Sequence, residues 1–334
     1  MKAVAGWRAA VASDPGLQRR VNEDRVLADD IHGVFLVVDG LGGHAAGEMA
    51  AETALHVIEQ QVQTLEKSDD VEGAVRRVIT EANNRIFKLA EENPEWRGMA
   101  CVLTLAVAQE DRVTVGHVGD SRLYLAWNGN LRKLTSDHSP VGEQEDRGEL
   151  TEEEAMRHPR RNEVFRDVGS HWHQPDDPLF IETKTFLFRQ DAALLMCSDG
   201  LSDVLTSAQI NAIVEAYSGD PDATARQLVE ASNQAGGKDN VSAVFVAGPE
   251  FRGTASHPLA ESRTRHAITR MREERPRWRP SLTSIVWLLI GMLLGMLLWA
   301  LLERWIPRPV VPANEVHVRA GIAELARVAA VLTS

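Results

Sequence analysis

Four short acidic motifs lie within residues 22–200: Asn22-Glu23-Asp24, Asp39-Gly40, Gly119-Asp120-Ser121-Arg122 and Ser198-Asp199-Gly200. Gly237-Lys238-Asp239-Asn240 closes the series. Most of these carboxylates end an apolar run or sit in a Gly-rich turn. A carboxylate held against an apolar core needs a counter-charge. Mg²⁺ and Mn²⁺ supply one, because these hard cations take oxygen ligands and keep several waters. The pattern predicts an all-oxygen metal site gathered from separate strands, with water activated for hydrolysis.

Each motif alone has a plainer reading. Gly16 to Asp24 pairs Arg19 and Arg20 with Glu23 and Asp24, and such a run is commonly a solvated face. An arginine can also grip phosphate through two parallel hydrogen bonds. Asp39-Gly40-Leu41-Gly42-Gly43-His44 reads as a turn between strand and helix. Its glycines also let backbone approach a ligand, and a carbonyl such as that of Gly40 can ligate a metal. Gly119-Asp120 alone reads as a hairpin turn. It is the set of motifs that carries the inference.

Short apolar runs at 34–38, 102–107, 113–118, 123–127, 193–197 and 241–247 read as strands, several with period-two alternation. Helical spacing is predicted over 45–66, with Met49, Thr53, His56, Val57 and Gln60 on one face. It is predicted again over 71–91 through Ala74, Val75, Val78, Ile86 and Leu89. A helix over 207–217 begins with Ser207 as cap, and another over 221–235 has Pro221 near its start. This order is not βαβ. It predicts an α+β fold, a four-layer αββα sandwich of two antiparallel sheets flanked by helix pairs. Residues 139–169 are polar and rich in Glu and Arg, and read as a mobile flap beside the site. Within it Thr151 and Glu154 have capping-box spacing.

The chain has 334 residues and a net charge of −12, with 44% hydrophobic and 25% charged residues, enough to bury one large core or two smaller ones. The acidity is concentrated in residues 1–250, because the remainder is rich in Arg. An acidic domain argues against nucleic acid as a partner. The two cysteines, Cys101 and Cys197, lie in apolar runs and read as buried small hydrophobes. Trp7, Arg8 and Asp14 interrupt the N-terminal stretch, so no signal peptide is expected.

Residues 251–281 read as an Arg-rich linker. A charge-free run then opens at Leu282 and closes at Leu302, the length of a membrane-spanning helix. Trp287 and Trp299 near its ends support that reading, and Gly291/Gly295 have the spacing of a weak dimer contact. Arginines crowd the side before the span, so residues 1–250 should lie in the cytoplasm and 303–334 outside an inner membrane.

The order, spacing and context of the motifs over about residues 6–248 resemble the PP2C-type metal-dependent protein phosphatases, in particular their bacterial serine/threonine branch. The stretches Leu134-Thr135-Ser136-Asp137-His138 and 158–169 belong to that resemblance. It implies a β-sandwich flanked by helices, with two or three Mn²⁺ or Mg²⁺ ions at one end. By position, Asp39 should bridge two core metals and Asp199 and Asp239 should bind one of them. Glu23 and the Gly40 carbonyl should serve the other, with Asp24 close by. Asp120 matches a third, weaker site. Arg19 should bind phosphate, with Arg20 as the competing choice, and Asn240 should support the metal shell.

The implied reaction is attack of a hydroxide shared by the two cations on a phosphoserine or phosphothreonine. His44 or a metal-bound water would protonate the leaving oxygen. The sequence has Leu41 directly after Asp-Gly where animal members have His, so the proton donor stays open. Met99-Ala100-Cys101-Val102 replaces small polar residues usual in the family, which bears on local packing. The expected partners are phosphorylated proteins and an opposing Ser/Thr kinase. A catalytically weak phosphoprotein-binding module of the same fold is the alternative, disfavoured because Glu23, Asp39, Asp120, Asp199 and Asp239 are all present.

Overall fold

The computed structural model describes residues 6–254 except 43, 44 and 67. The predicted span at 282–302 and its flanking segments lie outside the described residues. No helix among the described residues is long and apolar enough to cross a membrane.

The chain opens with strands β1 (Arg8–Asp14), β2 (Arg25–Asp29) and β3 (Val34–Leu41), then helices α1 (Ala45–Glu66) and α2 (Val71–Glu92). Four strands follow: β4 (Ala100–Gln109), β5 (Arg112–Val118), β6 (Arg122–Trp127) and β7 (Asn130–Lys133). Two short helices, α3 (Pro140–Asp146) and α4 (Glu152–Met156), occupy the flap. The chain continues through β8 (Glu182–Leu187), β9 (Ala193–Cys197), α5 (Asp199–Ser202), α6 (Ser207–Glu215), α7 (Pro221–Gln234) and β10 (Val241–Ala247). One sheet has the order β1-β10-β9-β6-β7 and the other β2-β3-β4-β5-β8; every pairing in both is antiparallel.

Strand alternation explains the layers. In β3, Val34, Leu36 and Val38 join a cluster with Ala50, Ala54, Ile58, Val75 and Ile79 of the first helix pair. Phe35 and Val37 point the other way, into a second cluster with Leu194, Met196, Val244 and Val246 of the facing sheet. In β10, Ala243 and Phe245 face Val214 and Leu228 of α6 and α7. Period-two side chains on strands buried on both faces therefore build three apolar layers between four layers of backbone.

Local signals place the helices. Asp70 caps α2 through the Gly73 amide, and Asp220 caps α7 just before Pro221. Thr151 and Glu154 form the expected capping box. Two expectations need correction. Ser207 is not the cap of α6. Thr206 is, in a capping box with Gln209, while the Ser207 amide and hydroxyl donate to Glu152 Oε1. The buried face of α1 is also not the predicted one. It runs through Ala46, Ala50, Ala54, Val57, Ile58 and Leu65, whereas His56 and Gln60 are exposed and hydrogen-bond each other. The observed stripe is wholly apolar, and its small alanines let the helix lie close on the sheet, whereas the predicted face carries the polar Thr53, His56 and Gln60.

Candidate active site

Every motif reaches the same end of the sandwich. Asp39 lies near the C-terminal end of β3, Asp120 in the β5–β6 turn, Asp199 directly after β9, Asp239 just before β10, and Glu23 just before β2. The antiparallel registers force this convergence: Asp39 pairs with Val102 at the start of β4, and Cys197 with Arg122 at the start of β6. These five carboxylates line one cleft of about 200 Å³ with Arg19, Gly40, Asn162 and Asn240. A larger hollow of about 350 Å³ lies near the α1–α2 connection. Its titratable residues, among them Asp70, Glu72 and Arg112, are all exposed, so it lacks the buried charge that marks the acidic cleft.

The acids are held without enough positive charge. Burial pushes the Asp120 carboxyl up to about 8, with Asp199 adding repulsion and Arg161 opposing it. Burial also pushes Asp24 up to about 7, although the Ser198 hydroxyl bonds it. Asp39 is driven well above the carboxylate range by burial and by Asp24, Asp199, Asp120 and Asp239. Asp199 is raised by burial and by Asp239, with Arg161 opposing. The local cations are Arg161, 3.5 Å from Asp120 Oδ2 and 2.6 Å from Asp203 Oδ1, and Arg19, 2.7 Å from Asp239 Oδ2. Oxygen-only donors, mutual repulsion and one Asp24 oxygen without a hydrogen bond fit hard divalent cations.

The N-terminal loop is held by Asn240. Its Nδ2 donates to the carbonyls of Pro15 and Val21 at 3.0 and 2.9 Å, and its Oδ1 accepts from the Glu23 amide at 2.8 Å. Asn240 thus fixes the loop carrying Arg19 and Glu23 against β10. The start of α1 is equally tight: a Cβ on Gly47 would lie 2.0 Å from Glu23 Oε2, and one on Gly40 would lie 2.3 Å from the Gly47 carbonyl. Glycine at both positions lets backbone and carboxylate meet.

Arg19 lines the cleft, while Arg20 is exposed and does not. Asp24 lies behind the cleft wall, buried, accepting from Ser198 Oγ at 2.7 Å; that hydroxyl itself accepts from the Ser242 amide. His44 lies outside the described residues. Sequence reasoning assigned no role to Ser198, Asp203 or Arg161. Asp203 stands one helical turn after Asp199, and its amide donates to the Asp199 carbonyl at 2.7 Å, a spacing that could have flagged it. Arg161 belongs to the flap, and its ion pairs reach back into the core. Further ties are the Phe165 amide to the His138 carbonyl and the Cys101–Val168 bridge. The unusual Cys101 is accommodated there: it is buried and pairs with Gly40 as well.

Residues 18–238 match the family model described as protein phosphatase 2C. The chain belongs to that family. A serine/threonine phosphatase of Listeria welshimeri is 33% identical over 71% of this chain and 94% of its own length. The catalytic domain of a serine/threonine protein phosphatase PstP, solved with two manganese ions, matches with a TM-score of 0.64. It shows 30% identity over 72% of this chain and 97% of that one. A Mycobacterium smegmatis Ser-Thr phosphatase solved with cacodylate matches with a TM-score of 0.61. It shows 33% identity over 72% of this chain and 97% of that one. The protein phosphatase 2C match covers all the cleft's carboxylates except Asp239, one residue beyond its end.

Proposed function

We propose that this chain hydrolyses phosphoserine and phosphothreonine on proteins in a reaction dependent on Mn²⁺ or Mg²⁺. The observation that carries the reading is the convergence of Glu23, Asp39, Asp120, Asp199 and Asp239 in one cleft beside Arg19. Asp39, Asp199, Asp239, Glu23 and the Gly40 carbonyl would hold two ions, with Asp120 serving a weaker third. Bound there, such ions supply Lewis acidity to phosphoryl oxygens and make water a nucleophile at neutral pH.

The protein's own groups do the rest. Arg19 offers a guanidinium to the phosphoryl oxygens, where charge builds during transfer. It is half exposed, so it can turn toward a ligand without leaving a buried charge unpaired. Asn240 keeps Arg19 and Glu23 in register with Asp239. No protein nucleophile is required, and both thiols are buried.

The enzyme's setting belongs to the same proposal. The charge-free run at 282–302 would anchor it in the inner membrane with the catalytic core in the cytoplasm, facing substrates of a Ser/Thr kinase. Gly291 and Gly295 would be the place for any dimer contact within the membrane.

The test is turnover of p-nitrophenyl phosphate and of a phosphothreonine peptide, with and without Mn²⁺. The expected outcome is release of phosphate from both, abolished by chelation and restored by Mn²⁺. Tight peptide binding without turnover would favour a phosphoprotein-binding module instead.

A further inference from the structure

The stretch Leu134 to His138 plays no part in the proposed reaction, yet its His138 holds the turn that carries Asp120. His138 is buried and clasps Gly119, the residue before Asp120, twice. Its amide donates to the Gly119 carbonyl at 2.7 Å, and the Gly119 amide donates to His138 Nδ1 at 3.0 Å. In the second bond Nδ1 is the acceptor. Nε2 faces Glu182 Oε2 at 3.4 Å. Arg166 Nη1 lies 3.0 Å from the same nitrogen, so Glu182 and Arg166 together flank that edge of the ring.

Gly119 needs this support. Its φ of +110° lies where side-chain-bearing residues are strained, and a Cβ there would lie 2.1 Å from Val102 Cγ1. A glycine in such a turn has many alternative conformations, and the clasp removes them. The His138 carbonyl also accepts from the Phe165 amide at 3.0 Å, in the flap segment that contributes Asn162 and Val164 to the cleft. One residue therefore joins the Asp120 turn to the flap.

His117, His138 and Glu182 stand close enough to suggest a separate metal site. The partners argue otherwise. His117 already bonds the Thr104 hydroxyl and the Ser136 carbonyl, and His138 Nδ1 is taken by Gly119. Glu182 has Lys184 at 2.6 Å. The negative charge a metal would balance is already met.

We propose that His138 is a positioning residue for the phosphatase reaction, holding the Gly119 peptide, and hence the Asp120 carboxylate, in place against the flap. The proposal rests on the metal-dependent reading of the cleft but is tested partly without metal. Three full-length variants separate the contacts. In His138→Asn, the side-chain oxygen can take the place of Nδ1 as acceptor for Gly119. In His138→Gln the polar end moves out toward Nε2, and in His138→Ala it is gone.

Amide exchange of the 118–121 segment, read in chelated protein, should speed up by about tenfold or more in the Gln and Ala variants and stay near wild type in Asn. With Mn²⁺ and p-nitrophenyl phosphate, kcat should fall roughly 10- to 100-fold in Gln and Ala, by under about fivefold in Asn, with KM little changed. Equal behaviour of Asn and Gln, or wild-type exchange in Ala, would overturn the proposal. If Gln and Ala do not fold, Asn alone decides: native exchange and turnover support the clasp, and loss of either removes it. Absence of turnover in the wild type would instead sink the phosphatase reading, while the exchange pattern would stand or fall by itself.

Discussion

At the scale of single residues, the cleft balances repulsion against ligand binding. Asp39 is buried among other acids, and replacing it with Asn removes both its charge and its ligand strength. Asp39→Asn should lower turnover by at least about 10²- to 10³-fold, the several kcal/mol expected when metal-derived charge stabilisation is lost. The same change should raise the melting temperature of chelated protein, because folding no longer has to force a proton onto that buried carboxyl. Full activity in the variant would remove the metal assignment. Arg19 and Arg20 make a second comparison. Losing charge-assisted hydrogen bonds to a phosphoryl group should lower kcat/KM for Arg19→Ala by roughly 10- to 100-fold. Arg20, exposed and outside the cleft, should tolerate alanine within about twofold. Steady-state kinetics on a phosphopeptide would rank them.

The same residues predict an unusual pH dependence. Unfolded carboxyls titrate near 4, whereas burial and mutual repulsion lift Asp24 and Asp203 to about 7 and Asp120 to about 8. Between those values the native state holds more protons than the unfolded state, so stability falls as pH rises. Chelated protein should therefore melt at a higher temperature at pH 5 than at pH 8. Below about pH 4 the trend reverses, because Asp137 and Glu182 are held low in the fold despite burial, chiefly by Arg122 and by His138 respectively, so the unfolded state takes up protons that the native state does not. Manganese should restore stability most at pH 8. A melting temperature that is flat or rises from pH 5 to 8 without metal would contradict this account of the cleft.

At the scale of elements, the strands that carry the chemistry were legible because they are buried on both faces. Short apolar or alternating runs marked β3, β4, β5, β6, β9 and β10. Strands β1, β2, β7 and β8 were not anticipated, since each lies at a sheet edge, where most of its residues are exposed or half-buried. Among the site residues, the motifs identified the carboxylates. They gave no sign that Arg161 would cross from the flap to Asp120 and Asp203, because a long-range ion pair leaves no local spacing. Nor could Asn240 be seen as the tie for the 15–23 loop, since its partners are backbone atoms more than 200 residues away. That tie is testable. Asn240→Ala would leave the buried Glu23 amide and two carbonyls without their partner, a cost of about 2–4 kcal/mol. The melting temperature should drop by several degrees, and activity should fall with metal still bound at Asp39 and Asp199. A variant with wild-type stability would show that the loop is held by other contacts.

At the scale of the whole molecule, the question is where the catalytic unit ends. Phe251 is buried against Tyr217, with ring centres 5.3 Å apart, and the Thr254 amide donates to Glu215 Oε2 at 2.9 Å. A chain ended after Thr254 keeps both contacts and every cleft residue. It should be soluble, as stable as the catalytic unit of the longer chain, and fully active with Mn²⁺. Ending it after Gly248 removes a buried aromatic from the cluster beneath α6 and α7, a loss of about 3–5 kcal/mol, and should yield a less stable protein. The full-length chain should behave differently from both. A charge-free run of this length is favourable in hydrocarbon, and the arginines before it favour the anionic cytoplasmic leaflet. It should sediment with membranes and resist alkaline carbonate. A reporter joined after Ser334 should register the outer side, and one joined before Met1 the cytoplasm. If the full-length protein stays in the soluble fraction, the anchor is lost as an explanation for residues 282–302. If the catalytic core lies outside, the case for cytoplasmic substrates and an opposing kinase is lost with it.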